Sequence, residues 1–399
     1  MSNIKEKNII LGVTGGIAAY KSCELVRGLI KKDASVQVVM TKNATEFITP
    51  LTLQTLSGNK VAINTFDLEW ESEIGHITLA DNADLIVVAP ATASFIGKVA
   101  SGIADSLLST IILATRAPII LCPAMNVNMY ENPAVQENIK KLQQRGLTVM
   151  EPGEGDLACG WEGKGRLPEI DIILSEIEKT LTPEDMSNEK VLITAGATRE
   201  FIDSVRFISN PSSGKMGYSL AKEASNRGAD VVLISGKTNL CPIPGVKTIN
   251  VESSKDMYDE VMSHLDWSTI VIKAAAVGDY TPTEPQDGKI KKDDKDKTLE
   301  LKRTKDILHE IGKKKNGRIV IGFAAETDNL IKNAKDKLKK KNADMIVAND
   351  VSKPGAGFEE DTNIAHLVYN KNSEELPLMP KSHLARIIFD KISEIKKDQ

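Results

Sequence analysis

A chain of 399 residues is long enough for two domains, and 41% apolar with 27% charged residues is typical of globular proteins. The net charge of −4 gives no basic footprint for nucleic acid, and no apolar stretch approaches the roughly 18 residues that span a bilayer. The polar N-terminus and the short apolar run after it do not fit a signal peptide. We therefore expect a soluble, cytoplasmic protein that binds neither nucleic acid nor membrane, with cysteines that mostly act as small buried hydrophobes.

Strands and helices are predicted to alternate in the first half. Apolar runs rich in Ile and Val predict strands at Asn8–Val13, Val36–Met40, Leu85–Ala89, Pro118–Leu121 and Gly146–Met150. Helical patterns cover Ile17–Lys31 and Phe95–Ala114, and Gly153–Gly165 has the composition of a glycine-rich loop. This alternation favours a parallel sheet with helices on both faces.

A polar segment that carries Pro183 follows a charged helix and predicts a linker at 182–189. It would separate a first domain at 1–181 from a second domain at 190–399. No fixed-period repeat relates the two halves, which share only the order of strand, glycine turn and helix.

The second half shows the same alternation. Strands are predicted at Val191–Thr194, Asp230–Ser235, Thr269–Lys273, Arg318–Gly322, Met345–Ala348 and Ile364–Tyr369. Helices are predicted at Ser213–Arg227 and Asp328–Lys341, and the Lys- and Asp-rich segment Gln286–Lys305 suits a mobile surface loop. We expect an α/β protein of two doubly wound, mostly parallel, Rossmann-like domains.

A glycine-containing turn, Gly12–Ile17, follows the first predicted strand and opens a helix. Its glycines let the backbone approach an anion closely, and the start of a helix favours negative charge. Because the Gly-x-Gly-x-x-Gly spacing of dinucleotide binders is absent, a mononucleotide or a single phosphate fits better. The alternative is a tight strand-to-helix turn with no ligand.

Other candidates stand near later strands of the first half. The turn Ala89–Ser94 offers hydroxyls beyond a strand's carboxyl end, where open α/β sheets bind ligands. His76 near a helix start would stay neutral and suit a general base, although a lone histidine is more often structural. Asn126 and Asn128 could orient a carboxylate or an amide, or could cap a helix. Cys159 lies in a glycine loop, where a thiol can close over a site and donate a proton or attack.

Turns after strands also recur in the second half. Ser209–Gly217 places Ser, Gly and Lys before a helix, where they can cradle phosphate without the Walker A spacing. The turn Ala274–Tyr280 presents Asp279, a candidate contact to Mg²⁺ or a nucleotide. The basic run Lys289–Lys292 could neutralise a triphosphate, or could be only a solvated charge run.

Together these pieces resemble one known family. The motifs that carry the resemblance are, in chain order, Gly12–Lys21, His76-Ile77, Ala89–Ala93, Pro123–Met129, Ala158–Gly160, Ile193–Gly196, Arg206–Asn210, Ser212–Gly217, Ala274–Tyr280, Lys289–Lys292 and Gly322–Thr327. The chain resembles the bifunctional phosphopantothenoylcysteine decarboxylases and phosphopantothenate–cysteine ligases of coenzyme A biosynthesis. Each motif alone is weak, but their order across two domains is highly specific.

The resemblance implies a flavodoxin-like, FMN-binding decarboxylase domain at 1–181. The FMN contacts that it implies are Gly15, Gly16, Thr41, Thr92, Ala93, Ser94 and Ser109. The substrate's cysteinyl thiol would be oxidised toward a thioaldehyde, which delocalises the carbanion left by CO₂. His76 would act as the base, Asn126 would hold the departing carboxylate, and Cys159 would donate a proton. Met129 would contact the substrate.

The resemblance also implies a ligase domain that joins 4′-phosphopantothenate to cysteine through an acyl-cytidylate made from CTP with Mg²⁺. Asn210 would handle that intermediate, Lys289 would form or use it, and Arg206 would contact the substrate. The implied nucleotide contacts are Lys273, Ala274, Ala275, Asp279, Lys289, Lys305, Asp306, Ile307, Leu308, Phe323, Lys337 and Lys341. Asp279 would also meet the metal. Relatives imply a homo-oligomer, a dodecamer of flavin-domain trimers and ligase-domain dimers.

Two positions depart from the family pattern, Ser94 where many relatives have Asn and Ala197 where many have Pro, and we expect tuning rather than loss. A flavin decarboxylase acting on a peptide's C-terminal cysteine is an alternative that the complete second domain disfavours. A flavin-binding phosphatase regulator is another, but its long acidic tail is unlike the mixed segment Ser393–Gln399. Loss of one activity is disfavoured because both sets of catalytic residues are present.

Overall fold

The computed structural model describes residues 3–65, 75–156, 162–291, 296–326, 329–350, 357, 360–369 and 372–397. Contacts divide the chain into two units, Met1–Thr182 and Pro183–Gln399. Within the segment predicted as a linker, Met186 is buried in the core of the second unit, and its N–H donates to the carbonyl oxygen of Arg227 at 3.0 Å. The packing of the second unit therefore starts before its first strand.

The first unit is built on a five-stranded sheet in which every neighbouring pair is parallel. Its strands are β1 (Asn8–Val13), β2 (Ser35–Met40), β3 (Leu85–Ala91), β4 (Ile119–Pro123) and β5 (Thr148–Val149), and an antiparallel hairpin adds β6 (Gly153–Asp156) and β7 (Glu162–Arg166). The order β2-β1-β3-β4-β5 is the flavodoxin-like order of doubly wound sheets. The predicted fold of this half is confirmed.

Helices cover the sheet of the first unit. They are α1 (Ser22–Ile30), α2 (Pro50–Ser57), α3 (His76–Asn82), α4 (Ala93–Ser101), α5 (Leu107–Ala114), α6 (Val127–Glu131), α7 (Pro133–Gln144) and α8 (Ile170–Thr180). The single helix predicted at Phe95–Ala114 is wrong: Gly102, at φ +72°, ends α4 in the left-handed region, and Ser106 caps a new helix. The predicted helix Ile17–Lys31 starts as a 3-10 turn at Ile17–Lys21.

The second unit is built on an eight-stranded sheet. Its strands are β8 (Lys190–Ala195), β11 (Asp230–Ser235), β12 (Lys247–Asn250), β13 (Ile270–Lys273), β16 (Ile319–Glu326), β17 (Met345–Asp350), β18 (Thr362–Tyr369) and β19 (Ser373–Pro380). The order is β12-β11-β8-β13-β16-β17-β18-β19, in which β18 runs antiparallel to both of its neighbours, β17 and β19. The first six strands have the order of a dinucleotide-binding sheet, so the prediction of a Rossmann-like second domain is confirmed.

Two short ribbons and five helices complete the described part of the second unit. The ribbons pair β9 (Arg199–Phe201) with β10 (Phe207–Ser209) and β14 (Tyr280–Pro282) with β15 (Leu301–Arg303), and the helices are α9 (Lys215–Asn226), α10 (Ser254–His264), α11 (Ile307–Lys313), α12 (Leu330–Lys340) and α13 (Lys381–Lys397). The predicted surface loop Gln286–Lys305 therefore contains a strand near its end. No helix in the described ranges is both long and apolar enough to cross a membrane.

The cores follow from the two-residue period of the central strands. In β1, Ile9 and Leu11 belong to one buried cluster and Ile10 to another. In β8, Ile193 and Leu192 divide in the same way between two clusters of the second unit. Burial on both faces explains why these strands are continuous apolar runs without polar alternation.

Candidate active sites

A cleft of about 800 Å³ lies at the carboxyl ends of the first unit's strands, the usual ligand position in open α/β sheets. Eight of the site residues predicted for this unit line it, namely Gly15, Gly16, Thr41, Thr92, Ala93, Ser94, Asn126 and Met129. They come from turns that are distant in sequence. The sheet order brings these turns together.

Hydrogen bonds tie the turns of this cleft to one another. The hydroxyl of Thr14 donates to the carbonyl oxygen of Pro90 at 2.8 Å and accepts the N–H of Thr92 at 3.1 Å. The N–H of Thr41 donates to the carbonyl oxygen of Val13 at 2.9 Å. Thr92 also caps α4 by accepting the N–H of Phe95. These bonds hold the turns after β1, β2 and β3 in place without a bound ligand.

Asn126 lies in the turn between β4 and α6 and caps α6. Its Oδ1 accepts the N–H of Asn128 at 2.9 Å, as the helix-cap alternative expected. Because Asn126 also lines the cleft, the two interpretations of this residue are compatible. The adjoining Met125 N–H donates to the carbonyl oxygen of Gly165, which joins this turn to β7.

Two of the residues predicted for the first unit, Ser109 and His76, are not among those that line the cleft. Ser109 is buried in α5, where it forms a capping box with Ser106, a residue that does line the cleft. His76 is the first residue of α3, and its buried Nδ1 has no hydrogen-bond partner among the described residues. Cys159 falls in 157–161, outside the described residues. Their roles stay predictions.

Charged and amide side chains that the sequence reasoning missed also line this cleft, among them Lys42, Asn43, Lys98 and Arg166. Lys42 and Asn43 come two and three residues after the end of β2. The rule that drew attention to the turns after β3 and β4 applies equally to this turn, so a signal for these two residues was present. Lys98 has no comparable signal, since it lies inside α4 and pairs with Asp105 at 2.7 Å.

In the second unit the predicted nucleotide residues gather beyond β13 and β16. Lys273 ends β13, and the charges that act on it are those of Lys337, Lys341, Asp306 and Asp279. The Lys337 ammonium donates to the carbonyl oxygen of Phe323 at 3.0 Å, and Lys341 forms an ion pair with Asp306. Three ammonium groups and two carboxylates therefore lie near one another at the carboxyl ends of β13 and β16.

The remaining nucleotide residues frame this cluster. Lys305 lies 4.1 Å from the centre of the Tyr258 ring. Asp306 caps α11, whose first residues Ile307 and Leu308 are buried in the core, so only their backbone can meet a ligand. The N–H of Ala275, which follows Ala274 in the turn after β13, donates to the hydroxyl of Thr194 at 3.2 Å.

Asn210, Arg206 and Lys289 lie on the segments that border this edge. The Asn210 amide donates to the carbonyl oxygen of Val277 at 3.3 Å, in the turn that carries Asp279. The buried Asp203 accepts the N–H groups of Val205 and Arg206 through Oδ1, and that of Ile290 through Oδ2 at 3.1 Å. Asp203 thus fixes the turns of Arg206 and Lys289 side by side. Sequence reasoning missed it because its partner is 87 residues away.

The electrostatics of this edge lower the pKa of Lys273 to about 8. Burial is the main cause and the charge of Lys337 adds to it, while Asp306 and Asp279 oppose the shift. Burial by itself would raise the pKa of Asp306, but the Lys341 ion pair and the N–H of His309 outweigh it and hold that pKa below its usual range. The excess positive charge suits a polyanion.

We expect Lys273→Met to increase stability near pH 7, with a benefit that shrinks as pH rises from 8 to 10.5. The folded state holds Lys273 at a pKa of about 8 against 10.5 in the unfolded chain, so the unfolded chain binds more protons in that window and the wild type gains stability as pH rises. The gain amounts to at most about 3 kcal/mol. Denaturant unfolding of both proteins at pH 7.5 and pH 10 measures it. An equal difference at both pH values would contradict the assignment.

The two sheets, one parallel and one mostly parallel, each with charged and polar turns at the carboxyl ends of its parallel strands, define a two-domain α/β enzyme of the flavodoxin-like and Rossmann-like classes. Comparison with known proteins places it more closely. The family described as Flavoprotein matches residues 1–182, and the DNA/pantothenate metabolism flavoprotein C-terminal domain matches residues 186–395. The chain belongs to the family of coenzyme A biosynthesis bifunctional proteins.

Members of this family match the whole length of the chain. The coenzyme A biosynthesis bifunctional protein CoaBC of Bacillus subtilis (strain 168) is 49% identical, covering 99% of this chain and 98% of its own. That of Vibrio cholerae is 45% identical, covering 99% and 100%. A crystal structure of the C-terminal domain of CoaBC is 43% identical, with a TM-score of 0.47, over 54% of this chain and 98% of its own.

Proposed function

We propose that this protein catalyses two consecutive steps of coenzyme A biosynthesis. The second unit ligates 4′-phosphopantothenate to cysteine with CTP, through an acyl-cytidylate, and the first unit decarboxylates the product to 4′-phosphopantetheine with FMN. The observation that carries this proposal is the 49% identity to a bifunctional relative over 99% of the chain, because it includes both units. If the protein were instead a peptide decarboxylase or a flavin-binding regulator, its second unit would have no role.

The cleft of the first unit fits FMN in size and in donor chemistry. Its hydroxyls and amides, including those of Thr41, Thr92, Ser94 and Asn43, can hold phosphate and the polar edge of a ring, and Ile17 and Leu167 supply apolar contacts. Bound FMN would supply reversible two-electron chemistry. The chain's own residues would orient the substrate and exclude water, and the Asn126 amide would hold the substrate carboxylate.

Gly15→Ala is expected to weaken FMN binding about ten- to a hundredfold. A Cβ at this position would lie 2.5 Å from Cβ and 2.7 Å from the backbone carbon of Asn43, so the turns after β1 and β2 would have to move apart. Titration of the apoprotein with FMN measures the change. In the matched control Gly97→Ala, the nearest heavy atom is 3.6 Å away and FMN binding should not change. Wild-type affinity in Gly15→Ala would remove this turn from the proposed site.

The edge around Lys273 is the proposed CTP site. The ammonium groups of Lys273, Lys337 and Lys341 would neutralise the triphosphate. Among described residues no group of three or more His, Cys, Asp or Glu forms a metal site, so Mg²⁺ would have to be held mainly by the phosphates, with Asp279 as the protein ligand. Asn210 and Lys289, on neighbouring segments, would meet the activated carboxyl group.

We also propose that the protein forms a homo-oligomer in the cytoplasm. His76 does not line the cleft of its own chain, and Ile77, Ile103 and Leu113 expose about half of their side chains on or near α3 and α5. A second copy of the chain covering this apolar surface would supply the environment that His76 lacks. The free thiols of Cys23, Cys122 and Cys241 fit a reducing compartment.

One incubation tests the proposed function. Purified protein loaded with FMN is mixed with 4′-phosphopantothenate, cysteine, CTP and Mg²⁺, and the products are identified by mass spectrometry. We expect 4′-phosphopantetheine, with CMP and pyrophosphate formed in equal amounts. Omission of FMN should stop the reaction at 4′-phosphopantothenoylcysteine. If neither 4′-phosphopantothenoylcysteine nor 4′-phosphopantetheine forms, the proposal fails.

A further inference from the structure

A second cleft of the Pro183–Gln399 unit contains none of the residues discussed so far as nucleotide or substrate contacts. Its volume of about 560 Å³ lies in the range of small-molecule sites. It opens beyond β11 and β12, whose last residues Ser235 and Asn250 line it. The proposed CTP residues stand beyond β13 and β16, so β8 separates the two places in the sheet.

Polar side chains converge on this cleft with unused hydrogen-bonding capacity. The buried Oγ1 of Thr248 has no partner in the described part of the chain. The Tyr218 hydroxyl lies 3.4 Å from Ser235 Oγ and 3.4 Å from Thr238 Oγ1, which is long for a hydroxyl–hydroxyl bond. Because a buried polar atom without a partner is costly, these atoms point to a polar ligand that would complete their bonds.

The charged and apolar side chains that line the cleft indicate which class of ligand it could bind. Lys237 and Glu252 lie two residues beyond the ends of β11 and β12, and both line the cleft. An ammonium group suits a phosphate, while a carboxylate accepts hydrogen bonds from the hydroxyls of a ribose. Leu240 and Val246 offer an apolar wall to the face of a base.

We propose that this cleft binds a nucleoside monophosphate, with its phosphate on Lys237 and its ribose on Glu252. Sheets with this strand order hold dinucleotides across both of their halves. Here the half that contains β13 and β16 carries the proposed CTP residues. The half that contains β11 and β12 carries a separate cleft, which offers an ammonium group for a phosphate, a carboxylate for a ribose and apolar side chains for a base. The site is additional to the proposed function and does not depend on it.

Equilibrium dialysis of AMP against the full chain, with saturating CTP and Mg²⁺, tests this site. We expect one AMP bound per chain that CTP does not displace, and at least tenfold weaker binding of adenosine. Lys237→Ala and Glu252→Gln should each weaken AMP binding about tenfold or more. Both side chains are exposed at the surface, so these changes leave the fold intact. Lys247→Ala, a neighbouring lysine on β12 that does not line the cleft, is the matched control and should bind AMP as the wild type does.

Several results would overturn the proposal. They are the absence of AMP binding, displacement of AMP by CTP, equal affinity for adenosine and AMP, and equal weakening by Lys247→Ala and Lys237→Ala. Displacement of AMP by 4′-phosphopantothenate would also overturn it, because the cleft would then belong to the ligase substrate. Since dialysis requires no turnover, the result is independent of whether the chain ligates or decarboxylates.

Discussion

Lys289→Gln is expected to slow the ligation of 4′-phosphopantothenate to cysteine by about 100- to 1000-fold, the usual cost of removing one group that stabilises developing charge. Decarboxylation of supplied 4′-phosphopantothenoylcysteine should proceed at the wild-type rate. The side chain of Lys289 is exposed, and its segment is fixed through the backbone N–H of Ile290 on Asp203. Glutamine therefore removes the charge without removing what holds the segment.

The matched control is Lys291→Gln, which removes an equal charge from the same segment two residues further on. Steady-state ligation, followed by pyrophosphate release, should fall only in the Lys289 variant. Asp203→Asn should lower ligation as well, because it weakens the bonds that hold the turns of Arg206 and Lys289 together. Equal rates in the Lys289 and Lys291 variants would mean that only the summed charge of the segment matters.

The central strands of both sheets could be predicted from the sequence, because strands buried on both faces are continuous runs rich in Ile and Val. β1 and β11 were predicted to the residue. The hairpin of β6 and β7 could not be predicted, since its segment is Gly- and Glu-rich and has no apolar alternation. The helix α10 was missed although Ser253 and Asp256 form a capping box, a signal that a single sequence does carry.

The candidate sites could be predicted in part for a related reason. A turn that follows a buried strand must end at one edge of the sheet, so residues such as Thr92 and Lys273 can be placed from the strand pattern alone. Asp203 and Lys98 act through partners or positions that only the folded chain defines. The cleft beyond β11 and β12 lacks a sequence motif, because its hydroxyls, its one amide and its two charged side chains are single residues spread over several turns.

Asn126→Asp is expected to lower the decarboxylation rate about 100- to 1000-fold while the protein keeps its fold and its FMN. Asp caps a helix as well as Asn does, so the N–H of Asn128 keeps its acceptor at the start of α6. The amide that would hold the substrate carboxylate is replaced by a second carboxylate, and the two negative charges repel each other. Ligation in the second unit should be unchanged.

Asn132→Asp supplies the matched control, because Asn132 caps α7 in the same way, with Oδ1 accepting the N–H of Ala134 at 3.0 Å, and does not line the cleft. It should decarboxylate at the wild-type rate. Asn126→Ala separates the two roles further, since it should lose the decarboxylation rate and also about 1 kcal/mol of helix-cap stability. If the Asp and Ala variants at position 126 both decarboxylated normally, Asn126 would be a helix cap alone, and the substrate carboxylate would have to be held by another donor of the cleft, such as Arg166.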